Sequence, residues 1–365
     1  MTNKLSIYVH VPFCESKCSY CAFSSFVAPV EQEKYFDCLC NEIESSKVRN
    51  RVVDTIYIGG GTPSCVEPKF IEKTLKMLKK HFKISKNAEI SMECNPNSVN
   101  KEKLKKYFSL GINRISFGVQ SLNAKALKSI GRLHTPKQAI SAIKLARSIG
   151  FENINADLLI GLPGKSNLIA DARKLIKAGV THLSAYMLQV EDGTKLKAQV
   201  ENRQIKLASD VKCVKSYEKL AQVLQKRNFL RYEISNFALK GYECKHNQKY
   251  WSRGEYVGFG LSAHSFLSGV RIANANNFTD YYAGKITTEK LSQEEVIEEV
   301  IMLGLRSNLG FSIKGLKSFG YDITQNSNFA NYKAQNILRQ TGDRIYLNPS
   351  YYGVSNFVIT NLLPR

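Results

Sequence analysis

The segment IYVHVPFCESKCSYCAF, residues 7–23, decides the fold, because a short β-branched run leads directly into a loop that carries three thiols. The run predicts a β-strand, so Cys14, Cys18 and Cys21 lie on the loop at its carboxyl end, in the spacing CxxxCxxC. A structural zinc site normally has four protein ligands, and an electron-transfer [4Fe–4S] cluster uses four cysteines. Three thiols without a nearby fourth ligand therefore predict a [4Fe–4S] cluster with one open coordination position.

A zinc knuckle and a chance cluster of thiols are the alternatives to this interpretation. The spacing, on a loop after the first strand, resembles that of the radical S-adenosylmethionine superfamily. The resemblance implies that the amino and carboxylate groups of S-adenosylmethionine chelate the fourth iron. It also implies that an electron from the cluster cleaves a C–S bond and produces a 5′-deoxyadenosyl radical.

Strands and helices alternate over the next 190 residues or so, which predicts parallel βα units. Six such units favour a partial (β/α) barrel of the TIM type, open or closed, although periodicity alone leaves a doubly wound sheet possible. In either architecture, chemistry belongs at the carboxyl ends of the strands. The later predicted strands are 54–58, 89–93, 114–119, 154–159 and 182–186, and the predicted helices are 31–47, 67–82, 101–109, 136–149 and 167–178.

The bulk properties describe a globular protein of a reducing compartment. A chain of 365 residues with 43% hydrophobic residues can bury a large core and favours a barrel-type domain with a smaller companion. The chain runs straight from Met1 into the first strand, and no apolar run approaches the ~20 residues that span a bilayer. With nine cysteines, an odd number, the chain is expected to be cytoplasmic.

The net charge of +21 raises the question of nucleic acid or an anionic membrane surface as a partner. The lysines are spread over the predicted helices, which indicates solvated helix faces. No basic block is interleaved with aromatic residues, as it is in proteins that bind single strands. Nucleic acid is therefore not an expected partner, and peripheral membrane contact is permitted but not required.

Glycines and polar residues occupy the ends of successive predicted strands. Gly59-Gly60-Gly61-Thr62-Pro63 follows the second strand, where missing side chains let the backbone approach a ligand. Glu93 and Gln120 end the third and fourth strands, and Asp157 lies in the fifth. Each could be a hydrogen-bonded loop cap, but their joint position predicts a nucleoside site at the barrel mouth, where carboxylates hold ribose hydroxyls.

Five motifs resemble those of the oxygen-independent coproporphyrinogen III oxidases and their relatives, and the similarity covers almost the whole chain. The resemblance implies that Tyr8, Gly60 and Glu93 contact the S-adenosylmethionine on the cluster. It also implies a second nucleotide pocket, whose occupancy stays open, lined by Tyr20, Gly61, Thr62, Gln120, Arg132 and Asp157. The motifs are YVHVPFC (8–14), GGGTP (59–63), ECNP (93–96), FGVQ (117–120) and DLLIGLP (157–163).

Two departures from the oxidase pattern indicate its sister group, the haem chaperones. The oxidases have a further cysteine two places after the third ligand, and this chain has Phe23 at that position. They also have a long N-terminal arm before the cysteine loop, whereas Cys14 here is almost at the start. The segment HNQKYW (246–251) resembles the HNxxYW haem-binding motif of that group. The resemblance makes His246 and Tyr250 candidate haem ligands, since both residue types ligate haem iron. Trp251 either shields the macrocycle or belongs to the core, and His264 is interpreted as structural.

The C-terminal region is predicted to be a small α+β module. An amphipathic helix is expected over 289–305, a second near 313–319 and a hairpin strand at 342–347. The family resemblance implies a winged-helix-like domain, and the absence of clustered base-reading Arg and Asn favours docking or a lid over DNA binding. The predicted domains are 1–230 (barrel), 231–285 (connecting region with the haem motif) and 286–365 (winged-helix-like).

The sequence therefore predicts a haem chaperone that binds haem and a [4Fe–4S] cluster with S-adenosylmethionine. Its expected partners are haem and haem-accepting proteins such as respiratory haemoproteins, and whether two copies of the chain pair through the cluster stays open. It is expected to lack coproporphyrinogen oxidase activity. The alternative is a true oxidase that decarboxylates the propionates of coproporphyrinogen III, and a radical enzyme acting on RNA is a third class that rests on net charge alone.

Overall fold

The computed structural model describes residues 4–27, 31–48, 51–164 and 166–364, and a twelve-stranded sheet organises them. The strand order in this sheet is β14-β13-β12-β11-β1-β4-β5-β6-β7-β8-β10-β9. The strands are β1 Lys4–Val11, β2 Phe13–Cys14, β3 Phe26–Val27, β4 Val52–Gly60, β5 Lys83–Cys94, β6 Arg114–Gln120, β7 Asn153–Ile160, β8 His182–Met187, β9 Leu230–Arg231, β10 Asn236–Ala238, β11 Tyr256–Phe259, β12 His264–Leu267, β13 Val270–Asn274, β14 Ile286–Lys290, β15 Phe311–Ser312, β16 Leu338–Thr341 and β17 Arg344–Leu347.

The helices follow the strands of the sheet and then dominate the C-terminal region. Three short 3-10 segments, at Pro63–Cys65, Ile323–Gln325 and Pro349–Val354, complete the regular structure of the described residues. The α-helices are α1 Gln32–Ser45, α2 Pro68–His81, α3 Lys101–Ser109, α4 Ala124–Ser129, α5 Pro136–Ile149, α6 Leu168–Ala178, α7 Lys195–Glu201, α8 Asp210–Gln225, α9 Lys245–Trp251, α10 Phe278–Tyr282, α11 Gln293–Gly304, α12 Ile313–Ser318, α13 Ser327–Ala334 and α14 Ser355–Thr360.

Six parallel strands, β1-β4-β5-β6-β7-β8, confirm the predicted βα units. In the described part of the chain the terminal strands β9 and β14 do not pair with each other, so the barrel is open. The expectation of a partial (β/α) barrel of the TIM type is thus confirmed, and the choice between an open and a closed barrel is decided.

The two faces of the parallel strands differ in polarity, because side chains alternate along a strand. One face is an apolar core, with Ile7, Val9 and Val11 of β1 all fully buried. On β1 the alternate positions are Ser6, Tyr8 and His10, and the same polar alternation recurs on the neighbouring strands. The second face therefore carries the groups that can bind ligands. Its members on the other strands include Thr55, Tyr57, Glu89, Ser91, Glu93, Arg114, Ser116, Asn155, Asp157, His182 and Ser184.

The sheet continues beyond β1 through four strands that the sequence did not predict as strands. β11 pairs in parallel with β1, and β12, β13 and β14 follow as an antiparallel edge. The predicted helix over 289–305 begins only at Gln293, because Ser292 and Glu295 form a capping box that fixes its start. Glu289 instead lies in β14. The predicted domain boundary at residue 286 thus falls between the paired strands β13 and β14, and the division itself stays a prediction.

The C-terminal region has the element order α11-β15-α12-α13-β16-β17, in which β17 lies between β15 and β16. A helix, a strand, two helices and a hairpin are the arrangement expected of a winged-helix-like domain. An isolated β-bridge between Glu233 and Ser307 joins this region to the segment that follows β9.

The surface of the first two helices accounts for several of the many lysines. Lys69, Lys73 and Lys80 of α2 form ion pairs with acidic residues of α1. Such exposed pairs contribute little to stability, typically about 0–1 kcal/mol. Among the described residues, no helix combines the length and the apolar character needed to cross a membrane.

Candidate functional site

The cysteine loop is fixed to the barrel at both ends. Cys14 ends β2, which pairs with β3, and the Phe26 amide donates to the Pro12 carbonyl at 2.7 Å. Between these anchors the Ser19 amide donates to the Ile130 carbonyl at 3.1 Å. The three predicted cluster ligands are thus held on a loop whose ends cannot separate without breaking strand pairing.

Cys14, Cys18 and Cys21 line one cavity of about 520 Å³ at the carboxyl ends of the parallel strands. All three are free thiols. The Cys14 Sγ lies 3.5 Å from the Thr62 Oγ1, and an Arg132 Nη1 lies 3.5 Å from the Cys18 Sγ. Burial raises the pKa of Cys14. Among the described residues no three His, Cys, Asp or Glu side chains already meet as a metal-binding group. The donor set itself, three thiols and a neighbouring guanidinium, fits an iron–sulfur cluster, whose ligands are thiolates.

The glycine run lets the second βα loop pass directly against the cysteine loop. A Cβ on Gly61 would lie 2.6 Å from the Phe13 carbonyl oxygen and 3.1 Å from the Cys14 Sγ. Gly60 has a φ of +113°, and a Cβ there would lie 2.6 Å from the His10 ring. Glycine is therefore required at both positions by close packing and, at Gly60, by backbone conformation.

Glu93 is a buried carboxylate on the cavity wall. It accepts hydrogen bonds from the Tyr57 hydroxyl at 2.8 Å and from the Gly60 amide at 3.2 Å. Burial raises the pKa of Glu93 to about 7, against the lowering effect of the Tyr57 hydrogen bond. A carboxyl group that titrates near neutral pH is suited to accept hydrogen bonds from a cationic amine that enters the cavity.

The pKa of Glu93 predicts a pH-dependent loss of stability. Since the folded-state pKa of about 7 lies above the ordinary value of 4.5, the folded protein holds this proton more tightly. The cost of ionising the buried carboxyl is absent at low pH and grows as pH rises towards 7. Urea unfolding of wild type and Glu93→Gln at pH about 5.5 and about 8 is expected to show the wild type losing roughly 2 kcal/mol more than the variant. The prediction would be contradicted if the free energy of unfolding changed equally with pH in wild type and in Glu93→Gln.

Asp157, Gln120 and Arg132 complete the polar wall. The side-chain Nδ2 of Asn155 donates to the Asp157 Oδ1 at 2.7 Å, and burial raises the pKa of Asp157. Gln120 ends β6 with a φ of +64°, a conformation that non-glycine residues rarely adopt and that often marks a functional position. Arg132 donates to the Asn95 side-chain oxygen at 2.5 Å and to the Gly118 carbonyl.

Most of the residues named from the sequence meet in this one cavity, which we call the cysteine cavity. Tyr8 and Tyr250 instead line a second, adjacent cavity, and His246 lines neither. The named residues that line the cysteine cavity are Cys14, Cys18, Tyr20, Cys21, Gly60, Gly61, Thr62, Glu93, Gln120, Arg132 and Asp157.

Sequence reasoning missed several polar residues of the cysteine cavity. Tyr57, Arg114, Ser116 and Asn155 line it, and each lies in a predicted strand at a position that alternates with the apolar core. This alternation was the available signal. A strand buried on both sides normally reads as a continuous apolar run, so polar residues at every second place mark a face that meets a cavity.

His246 lies in the interior, at the start of α9. The Lys245 and His246 amides donate to the Glu89 carboxylate at 2.9 and 3.2 Å, which satisfies two free donors of the helix N-terminus. The His246 Nδ1 lies 2.8 Å from the Thr55 Oγ1, and the Nε2 lies 2.8 Å from the Tyr250 hydroxyl. The ring is only 1% exposed.

The hydrogen bonds of His246 define its tautomer. Because the Thr55 hydroxyl donates to the Ser6 Oγ at 2.7 Å, its oxygen accepts a hydrogen bond from the protonated Nδ1 of His246. Nε2 then accepts from the Tyr250 hydroxyl. Burial lowers the pKa of His246 to about 3, so the ring is neutral. Both nitrogens of the predicted haem ligand are thus engaged within the protein.

The parallel βα units and the thiol-lined cavity at their carboxyl ends define a radical S-adenosylmethionine protein. The model of the Radical SAM superfamily matches residues 8–176. The chain is 32% identical to the heme chaperone HemW of Lactococcus lactis (strain IL1403), over 98% of this chain and 97% of that protein. It is 36% identical to the heme chaperone HemW of Bacillus subtilis (strain 168), over 85% of each chain. The chain therefore belongs to the HemW family of heme chaperones.

A solved structure shows the same fold. The coproporphyrinogen III oxidase (HemN) of Escherichia coli, a radical SAM enzyme, superposes with a TM-score of 0.84 at 21% sequence identity. The match covers 99% of this chain and 90% of the oxidase. The shared fold thus extends over both the barrel and the C-terminal region of this chain.

Proposed function

We propose that this chain is a haem chaperone that binds haem and passes it to haemoproteins such as those of respiration. The observation that carries the proposal is the similarity to heme chaperones along 98% of the chain. Phe23 adds support, because it stands where the oxidases have a further cysteine. The cytoplasm is the proposed site of action. A homodimer and a peripheral membrane contact belong to the same proposal.

The proposal includes a [4Fe–4S] cluster on Cys14, Cys18 and Cys21, with S-adenosylmethionine beside it. When bound, the cluster supplies an electron that can cleave a C–S bond of S-adenosylmethionine. The side chains of the cavity would bind and orient the cluster and S-adenosylmethionine. The Arg132 guanidinium next to Cys18 stabilises the negative charge of a thiolate there. The Glu93 carboxyl group and the Gly60 backbone bind and position the methionine moiety of S-adenosylmethionine. Tyr20, Gly61, Thr62, Gln120, Arg132 and Asp157 form the proposed wall of a second nucleotide pocket.

Tyr8 supports this site indirectly. Its ring stacks on Tyr57 with centroids 6.3 Å apart, and the Tyr57 hydroxyl donates to Glu93 at 2.8 Å. The Tyr8 hydroxyl lies 3.1 Å from the His10 Nδ1, on the side of the adjacent cavity. Tyr8 therefore packs against Tyr57, the residue that donates to Glu93, and its own hydroxyl is paired with His10.

Haem transfer tests the proposed function. Purified protein with its cluster reconstituted anaerobically is titrated with ferric haem, and a saturable Soret band is expected. The loaded protein is then mixed with the apo form of a respiratory haemoprotein, and the Soret spectrum of the acceptor should appear faster than with free haem at the same concentration. Incubation with coproporphyrinogen III, reductant and S-adenosylmethionine is expected to leave the substrate unconverted. Appearance of protoporphyrinogen would instead support the oxidase alternative.

A further inference from the structure

A second cavity, of about 880 Å³, lies beside the cysteine cavity and is lined by four aromatic residues, Tyr8, Phe23, Tyr250 and Tyr256. We call it the edge cavity, because strands β12 to β14 at the sheet edge form its far wall. Ala22 and Phe23 line both cavities, so the cysteine loop is the partition between them. Nothing in the proposed cluster site uses the edge cavity.

The size and lining of the edge cavity suit a planar macrocycle. Pockets for cofactor-sized ligands have volumes of roughly 300–1,000 Å³ and are lined by aromatic side chains with a few polar groups. Phe23 is 69% exposed, an unusual position for a phenylalanine ring next to a metal-binding loop. A porphyrin face stacked on this ring would bury it.

Of the haem motif, Tyr250 lines this cavity and His246 does not, and the polar atoms of both side chains are already paired. The Tyr250 ring lines the cavity, but its hydroxyl donates to the buried Nε2 of His246. Burial raises the pKa of the Tyr250 phenol far above its usual range, which disfavours a phenolate ligand. In this arrangement both ring nitrogens of His246 and the hydroxyl proton of Tyr250 are engaged in hydrogen bonds within the protein.

His264 presents the ligand that these two residues do not. Of the six histidines, all within the described residues, it is the exposed one, and it lies on the wall of the edge cavity. Its backbone is fixed, since it pairs with Ala273 of β13 and packs against Gly258, where a Cβ would lie 2.2 Å from the His264 carbonyl oxygen. Within the described part of the chain, no protein group is hydrogen-bonded to its ring nitrogens.

We propose that the porphyrin cargo binds in the edge cavity and that His264 is its axial ligand, while His246 is a positioning residue that holds Tyr250 and helix α9 at the cavity wall. This inference rests on the proposed haem-chaperone function and names the ligand within it. A neutral imidazole is a common axial ligand of haem iron. Ligation by His264 would break no hydrogen bond of its ring to the described residues, whereas His246 would have to abandon two buried hydrogen bonds at 2.8 Å.

Matched histidine variants test the assignment. Ferric haem is titrated into wild type, His264→Ala, His246→Gln and His81→Gln, the last a control outside both cavities. We expect His264→Ala to bind haem at least about tenfold more weakly. It should also lose the imidazole-ligated signature in electron paramagnetic resonance and resonance Raman spectra, and added imidazole should restore that signature. His246→Gln is expected to keep the signature and to melt at a lower temperature, and His81→Gln should match wild type.

A variant that fills the edge cavity tests where the porphyrin binds, independently of which residue ligates its iron. Ala273 lines the edge cavity on the strand opposite His264. Ala273→Trp is expected to weaken haem binding while iron and sulfide content stay at the wild-type level, which also shows that the variant folds. Normal haem binding by this variant would overturn the location.

Two further outcomes distinguish a failure of the His264 assignment from a failure of the proposed chaperone function. If His246→Gln loses the imidazole signature while His264→Ala keeps it, the assignment of His264 is overturned and the chaperone function stands. If wild type gives no saturable Soret band, the chaperone function fails and the inference fails with it.

Discussion

Replacing Cys14, Cys18 or Cys21 by alanine is expected to abolish iron–sulfur cluster assembly. The three thiols line one cavity, and no other cysteine lines it except Cys94. Burial raises the pKa of Cys94 to about 12, so this thiol is a poor substitute ligand. Wild type reconstituted without oxygen should hold about four iron atoms and four sulfides per chain, and each variant well under one. Iron and acid-labile sulfide analysis, with the visible absorption spectrum, measures this.

Cys38→Ala is the matched control, because Cys38 lies on α1 and lines neither the cysteine cavity nor the edge cavity. It should assemble the cluster as wild type does. The loop itself is expected to stay folded in the cysteine variants, since β2 still pairs with β3 and the Ser19 amide still donates to Ile130. A variant of Cys14 that retained full iron and sulfide would refute the ligand assignment.

Arg114→Met is expected to lower the free energy of unfolding by about 3–5 kcal/mol. Arg114 is only 2% exposed and lies on the polar face of the sheet. Although burial disfavours its charge, nearby Cys244 and Glu89 hold the pKa of its guanidinium above the ordinary range. Methionine keeps much of the volume and removes the charge, which leaves the buried carboxylates without their cation. Urea unfolding at neutral pH, monitored by circular dichroism, measures the loss.

Arg114→Lys serves as the matched variant, because it keeps the positive charge and changes the shape. We expect it to lose distinctly less stability than Arg114→Met. Arg231, a half-buried arginine, is a second reference, since it pairs with Glu218 at 3.0 Å and lies outside the cysteine cavity. Equal losses for the Lys and Met variants at position 114 would show that packing, and not charge, makes Arg114 important.

The unpaired atoms of Arg114 also connect stability to binding. Its Nε and Nη1 are buried and have no hydrogen-bond partner among the described residues, and the side chain lines the cysteine cavity. Buried donors of this kind are costly unless a ligand satisfies them. A ligand with an anionic or carbonyl oxygen deep in the cavity would gain from Arg114, so the residue that stabilises the barrel also shapes its site.

The haem motif shows which features of a site a local sequence motif can predict and which it cannot. The HNxxYW resemblance made His246 and Tyr250 candidate haem ligands, and in the structure their side chains are hydrogen-bonded to each other at 2.8 Å. It did not reveal that the imidazole is buried and that both nitrogens are used. His264, interpreted from sequence as structural, lies exposed on a cavity wall. Burial and hydrogen bonding depend on elements far away in the chain, here Thr55 and Glu89, which no local pattern contains.

The alternation of strand-like and helix-like segments along the sequence determined the parallel βα units. A buried strand needs apolar residues, and an amphipathic helix needs a periodic apolar face. The CxxxCxxC spacing and the glycine run likewise fixed where the thiols and the close backbone approach would lie. Only the tertiary structure decided that the barrel is open and extended by β11 to β14, and that two cavities share the wall formed by Ala22 and Phe23. The reason is physical: edge pairing and cavity walls arise from contacts between residues distant in sequence, and their energies are not encoded in any single segment.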